Sequence, residues 1–306
     1  MFPFWQPIVE PLLSMLSAKT IVEIGSESGH STRRLLSFCK TQGAVLHAID
    51  PAPKFDVEQW PQEYGDHLVL HRDLSLRALP QIEGYDAILI DGDHNWYTVY
   101  HELKLVEEQA AKAGHDLPLV CLHDVGWPYG RRDLYYDPDT IPAEHRQPFA
   151  RKGIVPGQVE LVDKGGMNDH LCNALQEHGR HNGVMTAVED FVAQVEAPVQ
   201  IYSLSGFSGL AILACESLKR ARPDIAAFLE RWQIPDAVNG YIQQLEDERV
   251  RVSILLRQRT KLLSQFSHAR QQLQEQNQSE RADLVQKLQV AIGELDTLRR
   301  QLLESR

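Results

Sequence analysis

The sequence predicts an α/β chain, a doubly wound and mostly parallel sheet followed by a long helix. Three observations carry this. Short apolar runs alternate with helical segments, and each run ends in a polar residue. The stretch Tyr85 to Tyr97, YDAILIDGDHNWY, passes from a buried run (Ala87, Ile88, Leu89, Ile90) into acids and a histidine, as a parallel strand does at the C-terminal edge of a sheet. Residues 241–306 hold no proline and one glycine, with apolar residues recurring in heptads. Open α/β sheets keep their ligands at that edge, so Asp91, Asp93 and His94 are expected in an active site.

Composition sets the bounds. With 306 residues, 43% hydrophobic and 24% charged, the chain can fill one core and carry an appended element, which excludes a fully disordered protein. A formal charge of -11 argues against a nucleic-acid partner, which would demand clustered Lys and Arg, and favours a small molecule or glycan. Cys39, Cys121, Cys172 and Cys215 lie far apart without a CxxC pair, as in a reduced, cytosolic protein. No signal-peptide pattern and no apolar run of spanning length is present, so no direct membrane insertion is expected.

In chain order, residues 1–19 place Ile8, Val9, Leu12, Leu13 and Leu16 on one helical face after Pro7. Thr20 to Thr32, TIVEIGSESGHST, reads as a strand, a turn with Gly25 and Gly29, and a helix opening at Ser31 and Thr32. Glycines there let the backbone approach a ligand, and the helix N-terminus offers free N–H groups. The second strand, Ala44 to Ile49, closes on Asp50, which is positioned to accept from ribose hydroxyls. The third, Leu68 to His71, leads to Asp73, either a contact on the base side of a nucleotide or a helix N-cap. After the fourth strand a helix is expected from about Thr98 to Lys112. The fifth, Leu117 to Leu122, ends in His123 and Asp124.

Residues 125–168 break the rhythm with Pro, Gly, aromatics and arginines, among them Trp127, Tyr129, Arg131 and Arg132. A long insertion beyond a sheet edge suits a substrate wall, and aromatic faces with arginines suit a sugar bearing an acidic group. A helix is expected at Asn168 to Glu177, then His178 and His181 as acceptor-site or loop histidines, then a helix at Ala187 to Val195. Val199 to Leu204 and Gly209 to Ala214 read as an antiparallel pair joined by a short turn. The expected domains are 1–217, with a substrate cap at 125–198, a helical connector at 218–240, and a coiled coil at 241–306.

In that tail the seam runs through Leu256, Leu263, Phe266 and Leu273, then resumes at Leu284 after a stutter and continues through Leu288, Leu295, Leu298 and Leu302. Arg249, Arg259 and Arg270 interrupt it. With 11 Lys and Arg against 9 Asp and Glu, the tail is nearly neutral. It reads as a homo-oligomerisation helix or a docking site for a coiled-coil partner protein.

Taken together, EIGSESGHST, Asp50, the IDGDH at 90–94 and the HD at 123–124 resemble the class I S-adenosylmethionine-dependent methyltransferases, more narrowly the sugar and small-molecule O-methyltransferases with EIGxxxGxST and DGxH motifs. The resemblance covers residues 18–215. It implies a Rossmann-like, seven-stranded sheet and S-adenosylmethionine as cofactor, bound by Glu23, Gly25, Ser26, Gly29, Ser31, Asp50, Asp73 and Asp91. It also implies a divalent cation, Mg or Mn, on Asp91, His123 and Asp124, with Asp93 as rival ligand and His94 as the base. An alternative role for His94 is to orient Asp91. Trp127, Tyr129, Arg131, Arg132 and His181 are the expected acceptor contacts. Where many relatives have a central glycine the chain carries Glu27, and where they have an acidic pair it carries His123 before Asp124. The insertion is similar to that of methyltransferases serving bacterial surface-polysaccharide biosynthesis, which implies a glycan acceptor and a cytoplasmic enzyme recruited to the inner membrane face by a partner. The competing expectation is a coiled-coil scaffold with a vestigial cofactor fold.

Overall fold

Five parallel strands come first: β1 (Thr20–Ile24), β2 (Val45–Ile49), β3 (Leu68–His71), β4 (Ala87–Ile90) and β5 (Leu119–His123). Three short strands follow in the insertion, β6 (Leu134–Tyr135), β7 (Phe149–Arg151) and β8 (Cys172–Ala174), before β9 (Val199–Leu204) and β10 (Leu210–Cys215). The main sheet has seven strands in the order β3-β2-β1-β4-β5-β10-β9. Only β10 runs against its neighbours, pairing antiparallel with both β5 and β9. Strand order reverses between β1 and β4, whose register sets Ile24 beside Ile90. Ligands bind outside the strand ends at such a switch point. The structure, a computed structural model, describes residues 1–304 apart from the side chains of Phe2, Leu302 and Glu304; the tail positions 305 and 306 and the Leu302 side chain lie outside the described residues.

Alternation along each strand builds two cores. Ile21, Leu46, Leu89, Cys121 and Ile212 face one side, where α1 (Glu10–Leu16) and α2 (His30–Gln42) bring Leu12, Leu13, Leu35 and Leu36. Val22, Ile88, Val120 and Leu122 face the other, which α3 (Gln59–Tyr64) does not reach. That second side is covered by residues of α4 (Ser75–Ala78), α5 (Trp96–Ala113) and α6 (Val184–Val192). Strands buried on both faces read as continuous apolar runs, which is why the sequence revealed them. Each fully buried Leu, Ile or Phe here contributes about 1.5–3 kcal/mol by leaving water.

Helix α5 begins two residues before its expected start because Asn95 caps it, its side chain accepting from Thr98 N at 2.9 Å. Gly43 and Gly114 end α2 and α5 in the left-handed conformation. One expected element is absent among the described residues. Asn168 to Glu177 forms no helix; its centre is β8, the middle strand of a three-stranded antiparallel sheet with β6 and β7. Left-handed backbone at Asn168 and His178 breaks the chain at both sides of it.

The connector contains α7 (Glu216–Ala221) and α8 (Pro223–Glu230), and one helix, α9 (Asp236–Glu304), makes up the rest. The chain divides into two compact units, Met1–Arg251 and the residues from Val252 onward. In the first, Glu246 accepts from Ser208 N at 3.0 Å and pairs with Arg249 at 2.6 Å. In the second, every described side chain from Leu255 on is exposed. No described helix is long and apolar enough to cross a membrane.

Candidate active site

The turn after β1 and the turn after β4 touch. A Cβ added to Gly25, at φ +89, would lie 2.2 Å from the carbonyl oxygen of Asp91, so only glycine allows the two strand ends to close on each other. Gly29 is equally constrained: its added Cβ would meet the Trp60 ring at 2.3 Å. Glu27, where the resemblance leads one to expect a glycine, itself adopts φ +43. Asp50 Oδ2 accepts from Glu27 N at 2.7 Å, Lys54 N donates to Glu27 O at 2.7 Å, and the Lys54 ammonium pairs with the Glu27 carboxylate at 2.8 Å. The loop therefore keeps a glycine-like course and turns the Glu27 side chain outward.

These turns wall a cavity of about 430 Å³. Gly25, Ser26 and Ser31 line it on the β1 side, Asp50 at the end of β2, Leu74 and Ser75 at the start of α4, and Asp91, Asp93, His94 and Tyr136 across from them. Ser26 Oγ is buried without a hydrogen-bond partner. Three expected cofactor residues, Glu23, Gly29 and Asp73, stand off the wall, Gly29 being turned against the Trp60 ring. Glu23 lies beneath the turn, 2% exposed, with burial pushing its carboxyl up to about 8 against the opposing pull of the nearby Thr32 hydroxyl. Asp73 accepts from Leu74 N at 2.8 Å and faces Arg77 at 3.8 Å, while its neighbours Leu74 and Ser75 form the wall.

At the far edge of the cavity sits a charged cluster. His123 Nδ1 stands 2.7 Å from Asp124 Oδ2 and 3.1 Å from Asp91 Oδ1, and the α-ammonium of Met1 stands 2.6 Å from Asp91 Oδ2. Burial would favour neutral forms throughout. For His123 the Asp91 and Asp124 carboxylates overcome it and lift the imidazole to about 10. For Asp91 the His123 charge overcomes it and holds the carboxyl well below its usual range. One ligand atom each from Asp91, His123 and Asp124 lies within 4.8 Å of the others, a donor set of two oxygens and one imidazole nitrogen.

His94 bridges cluster and cavity. Its Nε2 is 3.1 Å from Asp124 Oδ2 and 3.8 Å from Asp91 Oδ1, both off the line of a hydrogen bond, so neither ring nitrogen has a partner. Its ring stacks on Tyr129 at 5.5 Å and meets Tyr136 at 5.8 Å. Burial lowers its basicity, but the Asp124 charge and Asp91 raise it above the ordinary imidazole value.

The insertion residues expected at the acceptor fall elsewhere. Arg132 is fully buried, donating to the carbonyls of Ala174 and, at 2.7 Å, Val159, with Glu177 at 3.5 Å. Arg131 makes a two-bond pair with Glu189 at 2.6 and 2.7 Å. His181 stacks on Trp96 at 3.9 Å, off the cavity wall, and Trp127 packs on the α5 side of the core. Tyr129 reaches the site only through His94, its hydroxyl donating to Asn173 Oδ1 at 3.2 Å and accepting from Asn168 Nδ2 at 2.6 Å. The sequence reasoning missed Tyr136, which is 52% exposed yet on the cavity wall. It is the second tyrosine of the Tyr135–Tyr136 pair in the insertion, a position that carries no local signal of that role.

A family model described as a methyltransferase domain matches residues 22–125. No curated protein sequence matches the chain. Among solved structures, it is similar to the S-adenosylhomocysteine-bound methyltransferase PaMTH1 of Podospora anserina at 16% identity, covering 67% of this chain and 78% of that one with a TM-score of 0.40. A putative caffeoyl-CoA O-methyltransferase from Staphylococcus aureus gives 16% identity, 67% and 79% coverage and a TM-score of 0.39. The 1,6-didemethyltoxoflavin-N1-methyltransferase of Burkholderia thailandensis gives 12%, 69% and 76%, and 0.39. The match takes in the Gly25 turn, Asp50, Asp91, His94 and Asp124 and leaves out Met1, Tyr129 and Tyr136.

Proposed function

We propose that the chain transfers the methyl group of S-adenosylmethionine to a sugar hydroxyl of a bacterial surface polysaccharide or glycoconjugate. The observation that carries this is one cavity walled by the Gly25 turn and Asp50 on one side and by His94 on the other. The unpartnered Ser26 hydroxyl and the carboxylate of Asp50, held by Glu27 and Ala52 N–H groups, suit the polar parts of the cofactor. Asp50 keeps free lone pairs for ribose hydroxyls, since each carboxylate oxygen accepts more than one hydrogen bond.

In the reaction an O–C bond forms as the C–S bond breaks, the sulfonium becomes a neutral thioether, and the hydroxyl proton must leave. His94 takes that proton in its neutral form, on the one ring nitrogen that then carries no hydrogen; with Nε2 facing the Asp124 carboxylate at 3.1 Å, that acceptor is Nδ1, which has no partner. Asp124 then stabilises the imidazolium from 3.1 Å. The same charge raises the ring's affinity for a proton and lowers the neutral fraction at pH 7. Tyr129 fixes the ring plane, and Tyr136 offers an aromatic face to the apolar side of a sugar ring. Arg131 and Arg132 are committed to Glu189 and to backbone carbonyls, so the acceptor's recognition does not run through them.

Asp91, His123 and Asp124 fit a hard divalent cation such as Mg or Mn in donor type, provided His123 releases its Nδ1 proton. When bound, such an ion lowers the pKa of a hydroxyl near it. The reading carries with it a cytoplasmic enzyme brought to the inner membrane face by a partner. Its test is incubation with isotopically labelled S-adenosylmethionine, with and without Mg or Mn, and a panel of nucleotide-sugar and polysaccharide acceptors followed by mass spectrometry. A sugar that gains one labelled methyl group supports the proposal. Transfer only to non-sugar acceptors overturns the substrate class, and failure to bind S-adenosylmethionine favours the scaffold instead.

A further inference from the structure

The tail's exposed seam has a symmetry that assigns its occupant. From Leu256 the first seam advances by three, four, three and four residues through Arg259, Leu263 and Phe266 to Arg270. From Leu298 the second retreats by the same steps through Leu295, Ala291 and Leu288 to Leu284. The stutter between them makes the helix read alike from both ends about Asn277. We infer that the residues from Val252 onward pair with a second copy of this chain as an antiparallel coiled coil centred on Asn277.

In that register Leu256 packs on Leu298 of the second copy, Leu263 on Ala291 and Phe266 on Leu288. Leu256, Leu263, Phe266, Leu288 and Leu298 are each more than half exposed in the single chain, so these faces have no cover within the tail itself. Charge selects the direction. Residues 252–273 carry Arg257, Arg259, Lys261 and Arg270 and no Asp or Glu, whereas the stretch they would face, 281–302, is mixed, with Asp283, Glu294 and Asp296 beside Arg281, Lys287, Arg299 and Arg300, so the selection rests on the local partners of the two seam arginines. Antiparallel pairing sets Arg259 opposite Leu295, between Glu294 and Asp296 of the second copy, and Arg270 opposite Leu284, beside Asp283, which also holds its own Lys287 at 2.8 Å. A parallel, in-register pair would instead stack Arg259 on Arg259 and Arg270 on Arg270 in the seam, which like-charge repulsion opposes. Asn277 would meet itself at the centre, a polar layer of the kind that fixes coiled-coil register.

The test uses the full chain. Light scattering should give twice the 34.8 kDa chain mass. Leu263→Cys and Ala291→Cys variants, oxidised separately, should form no interchain disulfide, while their mixture after subunit exchange should give a covalent dimer; the four native cysteines are buried and contribute no background. Arg259→Glu with Arg270→Glu should weaken the dimer at least tenfold, and adding Asp283→Lys, Glu294→Lys and Asp296→Lys to the same chain should restore it. Cross-linking of either single variant alone means a parallel pair and overturns the inference. So does a monomer, a higher oligomer, or a monomer that pellets with phosphatidylserine vesicles, which would mark the basic half as a membrane-binding helix.

Discussion

The strand-end rim of the site and the insertion that follows it are both rich in polar side chains, but they use them in opposite ways. At the rim, Ser26 Oγ, both nitrogens of His94 and Nε2 of His123 are buried without partners. In the insertion, Asp133 accepts from Trp96 N, Gly183 N and Tyr135 OH, Asn173 and Asn182 donate to backbone carbonyls, and Arg132 leaves only Nε unpaired. A buried polar atom without a partner costs about 1–3 kcal/mol, so a fold tolerates a group of them where a ligand will complete them. Between these two regions partnering, more than residue type, marks the difference, although Glu102 and Asn95 of the scaffold also leave buried polar atoms unpaired.

That contrast can be broken by substitution, and the largest effect is expected at the rim. His94→Ala should lower methyl transfer by about two to four orders of magnitude while S-adenosylmethionine affinity changes little, measured by single-turnover assay and titration. Normal turnover would return His94 to a structural role. In the insertion the damage should appear as stability. Arg132→Ala should cost about 3–5 kcal/mol in denaturant unfolding, because it strands Glu177 and the buried Ala174 carbonyl and empties the space of a fully buried side chain. A variant as stable as the parent would show that this arginine is free for ligands.

A smaller effect is expected at Glu102 on α5, whose two carboxyl oxygens are buried without hydrogen-bond partners and whose pKa burial raises to about 8. A carboxyl raised in the folded state binds its proton more tightly there than in the unfolded chain, so its stabilising effect is whole below about 4.5 and is lost as pH rises toward 8. Glu102→Gln should therefore flatten the fall in melting temperature over that window, with a gain of about 1–3 kcal/mol at its upper end. An unchanged pH profile would mean the group does not titrate there. The smallest effect belongs to Arg131→Gln, which breaks a half-exposed pair with Glu189 and should cost at most about 1 kcal/mol, with acceptor KM unaltered.

The same contrast explains what could be read from the chain. The strands were legible because burial on both faces makes them continuous apolar runs, and the Asp50, Asp91, His94 and Asp124 positions followed from where those runs end. The glycine turn was legible because close approach admits no side chain at Gly25. The insertion was not. Cys172 to Ala174 pairs with strands more than twenty residues away, so local pattern suggested a helix where non-local pairing makes β8. Arg131 and Arg132 looked like ligand groups because Glu189, Val159 and Ala174 are distant in sequence and give no sign of being their partners. Tyr136 reaches the cavity only through the course of that insertion.

Calorimetric titration of the intact chain with S-adenosylmethionine tests the account most directly, run beside Gly25→Val, whose added side chain must collide with the Asp91 backbone. Saturable one-to-one binding by the parent chain and its loss in the Gly25 variant, with the variant still folded by circular dichroism, is the predicted result. Absence of binding by the parent, or equal binding by both, would contradict a donor pocket between the ends of β1 and β4.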